Sequence, residues 1–423
     1  MRHYPSKILS AGLFTAAMLF SVAATAADKP VTREEIALGQ KQYGPNQQQQ
    51  GGQYNLDPAL TAYVQRVGMK LAKTSDAPDL PYEFVIINSS DLNAWALPGG
   101  KIAINRGLLA VLESEAQLAA VLAHEIAHVT KRHSARMQKK ALGASLLGTL
   151  IGLGIGMKAP EYRDLAMQGA GILTYGVQAN YSRDHELQAD RVGMHMMSRA
   201  SYDPQAAVVL QEIFLREAQG RKNNALSSFF ASHPPSQERI SENKSTAKTL
   251  PAGGVVNDAE YRKAIAQLNK DKPAYQYLKE ASTAYTGKNY AQAIALSDKA
   301  IALQPKQGLF WEMKGQALAK QNRGKEAVAA FDRAVAAAPG FFRPLLLRGM
   351  TQNSLGQYGP AESSILAAQK LLPTQIGTYT LGELSERRGD RNTATSYYRQ
   401  AAQGGGEIGK AAQKQLENMQ YGN

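Results

Sequence analysis

The sequence predicts an α+β fold, in which a mainly helical N-terminal domain with a small β-sheet is followed by an all-α solenoid of helical repeats. Three observations predict it. A His-Glu-x-x-His motif occupies residues 124–128, a β-rich segment with a Pro-Gly-Gly turn precedes it, and the last third repeats with a period of about 34 residues. At 423 residues two domains are expected, because single hydrophobic cores stop growing near ~250–300 residues.

The first 26 residues are typical of a secretory signal peptide. Arg2 and Lys7 form the basic start, residues 8–22 contain the apolar stretch, and Ala24-Thr25-Ala26 matches the small-residue cleavage pattern. An uncleaved membrane anchor is the alternative. The signal predicts that the mature chain is exported.

The composition limits the chemistry further. The chain has no cysteine, so disulfides and lipid-accepting cysteines are excluded, and metal ligands must be histidines and carboxylates. The net charge of +13 is scattered along the chain, which only weakly favours anionic membrane surfaces or acidic partners. Nucleic acid is not an expected partner, because no basic-aromatic motif appears and the signal directs export.

Several elements are expected before the motif. Thr32 and Asp57 are typical helix caps, and the dense β-branched and aromatic residues after Pro81 favour a strand. In chain order the predicted elements are a helix at residues 32–42, a Gln-rich loop at 44–52, a helix at 58–73 and a strand at 82–88.

Residues 93–105 predict two short antiparallel strands joined through Pro98-Gly99-Gly100. Pro98 cannot donate a ladder hydrogen bond, so its strand is expected at a sheet edge. An open edge beside the motif could hold an extended peptide by strand addition. An ordinary hairpin explains these residues equally well.

The motif lies on a helix predicted from Ser114, the cap, to about Arg136. His124 and His128 stand at i and i+4, so they share one face and can hold a zinc ion, with Glu125 beside them as a base. The helix is apolar on nearly every side, and a metal would remove the cost of burying these polar groups. A chance match with satisfied core histidines is the alternative.

Residues 141–157 are apolar, uncharged and rich in glycine. We interpret them as a hydrophobic helical hairpin or loop near the site, with possible peripheral contact to a membrane or to substrate. A buried core segment and a membrane span are the alternatives, although about 20 residues are needed to cross a bilayer.

A catalytic zinc site needs a third protein ligand, and the best downstream candidate is Glu186 on a helix predicted from about Ala166 past Met197. Asp190 lies one turn further on the same face. It could accept the free N–H of a ligand histidine and so fix its tautomer. A solvated Glu/Asp pair is the alternative.

His233 precedes two prolines, which force extended backbone. It could donate to a tetrahedral oxyanion, bind the metal as a fourth ligand in a resting state, or be a neutral structural histidine. His133 and His185 are expected at the surface, and His195 has no visible partner.

The last third contains four predicted tetratricopeptide repeats from about residue 274 to 403, followed by a capping helix at 408–419. Small residues recur where paired helices would cross, and proline closes successive units. The positions that recur are Ala293, Ala327, Ala361 and Ala394; Ala300, Ala334, Ala368 and Ala401; Gly315, Gly349 and Gly382; and Pro305, Pro339 and Pro373. The predicted division is a signal at 1–26, a first domain at 27–250, a linker at 251–273 and the repeat domain at 274–423.

Together, the zinc motif, Glu186-x-x-x-Asp190, the Asn93-to-Gly100 segment and Ser232-His233-Pro234 resemble the M48 zinc metallopeptidases over roughly residues 34–240. The resemblance implies a zincin-type domain in which His124, His128 and Glu186 hold one zinc ion and Glu125 is the catalytic acid and base. It also implies a regulatory or transition-state role for His233. With the signal and repeats, it implies a periplasmic location, and peripheral attachment to the outer membrane is a further expectation.

Two functions are therefore expected. The first is a metalloendopeptidase with chaperone-like activity that degrades unfolded or misassembled outer-membrane proteins, in which Glu125 takes a proton from the attacking water and passes it to the leaving amine. The second is a repeat scaffold that binds the outer-membrane barrel assembly machinery, with proteolysis latent or secondary. The intact ligand set favours the first, because a pure scaffold has no use for Glu125.

Overall fold

The computed structural model describes residues 30–137, 181–220 and 232–421. The predicted signal at 1–26 and the apolar stretch at 141–157 lie outside the described residues. None of the helices within these ranges combines the length and apolarity that a membrane crossing requires.

The first part of the chain forms two helices and a three-stranded sheet. Chain order gives α1 (Arg33–Gln49), α2 (Pro58–Ala72), β1 (Glu83–Ile87), β2 (Ala94–Leu97) and β3 (Lys101–Asn105). The sheet order is β1-β3-β2, with β1 parallel and β2 antiparallel to β3. The predicted hairpin and its edge strand are confirmed, and its turn needs Gly99 and Gly100 at φ +80° and +85° because such angles strain other residues.

The helix α1 continues to Gln49 and so covers most of the segment 44–52 that was predicted as a loop. Gln42, Asn46 and Gln47 are buried, and the Gln48 side chain bonds to Gly340 and Phe342 in the repeat region. Tertiary contacts thus hold in a helix a Gln-rich segment that by composition is typical of a loop.

The motif helix is α4 (Glu115–Thr130), preceded by the short α3 (Arg106–Leu109). The Ser114 hydroxyl caps α4 by accepting from Gln117 N at 3.2 Å. The helix ends at Thr130, so the predicted end near Arg136 is wrong. Arg132 has a left-handed φ of +55°, and its guanidinium pairs with Glu35 at 2.6 Å, which stabilises the chain reversal.

The first residue of α4, Glu115, anchors the helix. Its buried carboxylate accepts hydrogen bonds from the hydroxyls of Tyr63 at 2.6 Å and Tyr202 at 2.7 Å, and from the Asn257 amide at 3.3 Å. Burial would raise its pKa, but these donors hold the pKa of Glu115 below its ordinary value. The negative charge also lies at the positive end of the helix dipole.

Replacing Glu115 with Gln should destabilise the fold at neutral pH by about 1.5–3 kcal/mol, the range for hydrogen bonds to a charged group. Because the folded pKa is depressed, the stabilisation is present above the unfolded pKa of 4.5 and is lost as the pH falls through the lower folded value. Denaturant unfolding of both proteins at pH 7 and under acidic conditions checks this. A deficit that stays constant as the pH falls would contradict it.

The helix α5 (Arg183–Arg199) packs on α4, and α6 (Gln205–Gly220) and α7 (Gln237–Thr249) follow. Ser182 caps α5, so the helix starts at Arg183 and is not continuous from Ala166 as predicted. A Cβ on Gly193 would lie 3.2 Å from the Ala123 carbonyl carbon. This close approach of the two backbones brings the acidic face of α5 to the histidines of α4.

The segment 251–273 was predicted as a linker with one short helical piece near residues 261–268, and two short helices cover that piece. It contains α8 (Asp258–Ala264) and α9 (Ala266–Lys270), and Tyr261, Ile265 and Leu268 belong to the main core of the first part. The Tyr261 hydroxyl also donates to Leu109 O at 2.7 Å. Apolar residues at helical spacing therefore attach this segment to the core.

The repeats form four helical hairpins and a final helix, which confirms the predicted solenoid. Alanines at the repeat positions are buried, and a Cβ on Gly315 would lie 2.7 Å from the Phe331 ring, so small residues allow the paired helices to cross closely. The hairpins are α10 (Lys272–Thr286) with α11 (Tyr290–Leu303), α12 (Gly308–Lys320) with α13 (Gly324–Ala337), α14 (Phe342–Ser354) with α15 (Tyr358–Leu371), and α16 (Gln375–Arg387) with α17 (Arg391–Gln403), followed by α18 (Gly406–Tyr421).

The solenoid contacts the first part of the chain directly. Gln307 and Asn88 exchange amide hydrogen bonds at 3.0 and 3.3 Å, and the Arg106 guanidinium lies 3.4 Å from the centre of the Tyr275 ring. These contacts are buried.

Candidate metal centre

Four side chains from three separate segments converge at one point. His124 and His128 come from α4, Glu186 from the first turn of α5, and His233 from the segment before α7, and all four are buried. One ligand atom from each lies within 4.8 Å of the others. The structure therefore brings together the two motif histidines, the predicted third ligand and His233.

The donor set fits one zinc ion. Tetrahedral zinc with ligands at about 2.0–2.1 Å has donor atoms about 3.3 Å apart. The Nε2 atoms of His124 and His128 are 2.9 Å apart, and the Glu186 carboxylate oxygens lie 3.4 Å from His124 Nε2 and 3.3 Å from His128 Nε2. His233 Nδ1 is 3.2 Å from His124 Nε2 and 3.1 Å from Glu186 Oε1. Zinc also prefers this kind of donor set, in which two or three imidazoles are combined with a carboxylate.

Asp190 lies behind His124, with Oδ1 2.9 Å from His124 Nδ1. A carboxylate can only accept, so His124 donates from Nδ1 and turns the lone pair of Nε2 toward the cluster. Glu186 is fully buried and Asp190 is 7% exposed. The solvated Glu/Asp pair that the sequence allowed is therefore wrong.

Arg239 on α7 is a member of the site that the sequence analysis missed. Its guanidinium grips both oxygens of Asp190, each at 2.7 Å, and lies 2.8 Å from Glu186 Oε2. The side chain is 3% exposed. The sequence predicts a helix that starts at Ser236, whose hydroxyl accepts from Arg239 N at 3.1 Å, but local spacing does not show that the Arg239 side chain faces inward.

Burial and neighbouring charges shift the pKa values of the three carboxylates at the site in opposite directions. Burial would raise the pKa of Asp190, but the positive charge of Arg239 holds it below its ordinary value. Against the same effect of burial, His233, His124 and Arg239 keep the pKa of Glu186 well below its usual range. Burial raises the pKa of Glu125, as expected for a carboxylate that must take up a proton.

Glu125 differs from the other carboxylates. Among the described residues neither of its oxygens has a hydrogen-bond partner, although it is only 1% exposed. It borders a cavity of about 30 Å³ whose walls include Val121, Leu210 and Phe214. His233 Nε2 lies 3.6 Å from Glu125 Oε1, too far for a hydrogen bond, and a buried carboxylate that accepts no hydrogen bond costs free energy.

The edge strand also lies at the site. β2 pairs with β3 on one side and no other described strand pairs with it. Ala96 and Leu97 line a small recess together with His128. A peptide strand added here would pass close to the ligand cluster.

The other histidines partly contradict the expectation of surface positions. His133 is fully buried, behind His128, and His185 is half-buried with its ring stacked on His133 at 4.4 Å. His195 is exposed. The burial of His133 follows from the turn at Arg132, which folds the chain back onto α4.

Residues 58–247 match the model of Peptidase family M48. A relative named β-barrel assembly-enhancing protease, from Escherichia coli K12, is 30% identical over 46% of this chain and 40% of its own length. A mitochondrial metalloendopeptidase OMA1 from Schizosaccharomyces pombe is 37% identical over 43% of this chain and 51% of its own length. The alignments thus span about half or less of these relatives, and they confirm the resemblance to M48 enzymes.

Solved structures similar to this chain include MamA, at 20% identity over 36% of this chain and 90% of its own length, with a TM-score of 0.30. YrrB, a TPR protein, is 20% identical over 37% of this chain and 82% of its own length, with a TM-score of 0.31.

Proposed function

We propose that this chain, whose residues 58–247 match the model of Peptidase family M48, is a zinc-dependent endopeptidase that cleaves unfolded or misassembled proteins. The observation that carries the proposal is the buried cluster of His124, His128 and Glu186 beside the carboxylate of Glu125, which accepts no hydrogen bond from any described residue. The names of two relatives also support the proposal, because one is called an assembly-enhancing protease and the other a metalloendopeptidase.

In the proposed reaction His124, His128 and Glu186 hold the metal. A bound zinc ion would polarise the scissile carbonyl and lower the pKa of an attacking water. Glu125 takes the proton of that water and delivers it to the leaving amine. Asp190, fixed by Arg239, keeps His124 in the tautomer that can bind a metal, and the free side of β2 orients the peptide.

The proposed substrates are held by the solenoid. A cavity of about 1400 Å³ lies between the first part of the chain and the solenoid, with Arg106 and Phe214 on one side and Tyr275, Glu312 and Arg343 on the other. Its size suits an unfolded segment and its walls are both polar and apolar. From the name of the E. coli relative we propose that the substrates are unfolded or misassembled outer-membrane β-barrel proteins, that the solenoid binds their assembly machinery, and that the enzyme acts in the periplasm.

The second candidate is a scaffold or chaperone in which proteolysis is latent, and the same large cavity favours it. Zinc analysis of the purified full chain, combined with cleavage of an unfolded model protein, separates the two. We expect one zinc per chain and cleavage that a chelator abolishes. A metal-free protein that prevents aggregation without cleaving would support the scaffold.

His233 supplies a fourth donor atom to the cluster, and a catalytic zinc site keeps one position open for water. We therefore favour the latch among the roles that the sequence left open. His233→Ala should raise basal cleavage about tenfold or more, equivalent to removing a block worth ~1.4 kcal/mol. Initial rates on an unfolded protein, normalised to zinc content, measure this, with His195→Ala as the control. Loss of activity would instead support donation to the oxyanion.

A further inference from the structure

A chain of hydrogen bonds leads away from the second ligand of the motif. His128 Nδ1 lies 2.8 Å from His133 Nδ1, and His133 Nε2 lies 2.9 Å from Gln188 Oε1 on α5. The left-handed Arg132 allows this arrangement, because it reverses the chain directly after α4 and places His133 behind His128. The His133 side chain is fully buried, so water does not compete for its nitrogens.

The chemistry of these groups fixes the positions of the protons. The carbonyl oxygen of Gln188 can only accept, so His133 carries its proton on Nε2 and presents a lone pair at Nδ1. His128 must then donate from Nδ1. Its Nε2 consequently has a free lone pair, and this is the atom that lies 2.9 Å from His124 Nε2 in the cluster.

We propose that His133 and Gln188 are positioning residues that hold His128 in its metal-binding tautomer. The inference rests on the proposed zinc site and extends it to residues that do not touch the metal. The two motif histidines are thereby oriented by different means, His124 by the carboxylate of Asp190 and His128 by a neutral imidazole and amide in series.

The charges of the site explain why a neutral group suits this position. Glu125, Glu186 and Asp190 are buried together with Arg239, so Arg239 and one divalent cation balance the three carboxylates when all are ionised. A fourth carboxylate that was fully buried and in direct contact with His128 would leave an uncompensated charge, which is costly. His133 meets the requirement, because an imidazole that donates from Nε2 to Gln188 and accepts at Nδ1 from His128 is neutral.

The test compares zinc affinity in full-length variants by competition with a chelator. His133→Ala removes the acceptor, and Gln188→Met removes the carbonyl at nearly constant shape, whereas Gln188→Glu keeps an acceptor at the half-buried helix position. We expect the first two to bind zinc about 10–100-fold more weakly, as for other residues that orient metal ligands, and Gln188→Glu to bind close to the parent. The exposed His195→Ala serves as the control for loss of a histidine.

A second readout needs no metal. In metal-free protein labelled with ¹⁵N-histidine, long-range proton–nitrogen correlations should show His128 protonated at Nδ1 in the parent and a mixture of tautomers in Gln188→Met. Parental zinc affinity in a folded Gln188→Met or His133→Ala would overturn the inference, as would an Nε2-protonated His128 in the metal-free parent. A parent that binds no zinc would contradict the proposed function itself.

Discussion

Glu125→Gln should lower the rate of cleavage of an unfolded protein by about 10²–10⁴-fold, the range contributed by a general acid and base. Glu125 is the one carboxylate at the cluster whose oxygens accept no hydrogen bond from any described residue. An amide of nearly the same shape cannot take up the proton of the attacking water. The variant removes the chemistry and leaves the packing of α4 in place.

The measurement is the initial rate of cleavage at equal zinc content. Zinc content should not change, because Glu125 lies outside the group of four donors. Glu260→Gln, at an exposed position, gives the matched control for the same substitution. Equal rates for Glu125→Gln and the parent would contradict the assignment of Glu125 as the general acid and base and, with it, the peptidase hypothesis.

Arg239→Met is expected to have the largest effect on stability. The Arg239 side chain is 3% exposed and contacts the carboxylates of both Asp190 and Glu186. Methionine would leave these two buried anions without their cation, and breaking a buried ion pair in this way costs about 3–5 kcal/mol. Loss of the guanidinium also frees Asp190, so zinc affinity should fall as well.

Denaturant unfolding of the metal-free proteins measures this effect. Arg183→Met is the matched control, because Arg183 is 71% exposed and pairs with Glu238, and such surface pairs contribute about 0–1 kcal/mol. Similar losses of unfolding free energy in the two variants would show that Arg239 stabilises the fold no more than a surface residue does and is not the central cation of the site.

Much of the site follows from local sequence spacing. His124 and His128 are one helical turn apart, and so are Glu186 and Asp190, so each pair shares a face whatever the rest of the chain does. The hairpin can also be predicted from the local sequence, because Pro98, Gly99 and Gly100 allow few other conformations. The repeats were found since small residues recur at the same interval wherever helices must approach closely.

Other features arise from pairs of segments that are far apart in sequence. The sequence predicts an end of α4 that is too late. The left-handed conformation of Arg132 depends on its ion pair with Glu35, which lies almost a hundred residues earlier in the chain. α1 extends through a Gln-rich stretch because the solenoid supplies partners for Gln48. The helix propensity of the local sequence includes neither the ion pair of Arg132 nor the contacts of Gln48 with the solenoid.

By itself the sequence determined the order of domains, the helix that carries the motif and the residue types available to a metal. Only the tertiary structure decided that Arg239 clamps the carboxylates, that His133 supports His128, and that His233 reaches the cluster. The physical reason is that spacing along one helix fixes which side chains share a face. The packing of α4, α5 and α7 decides which faces meet, and hence which charges and lone pairs must be satisfied together.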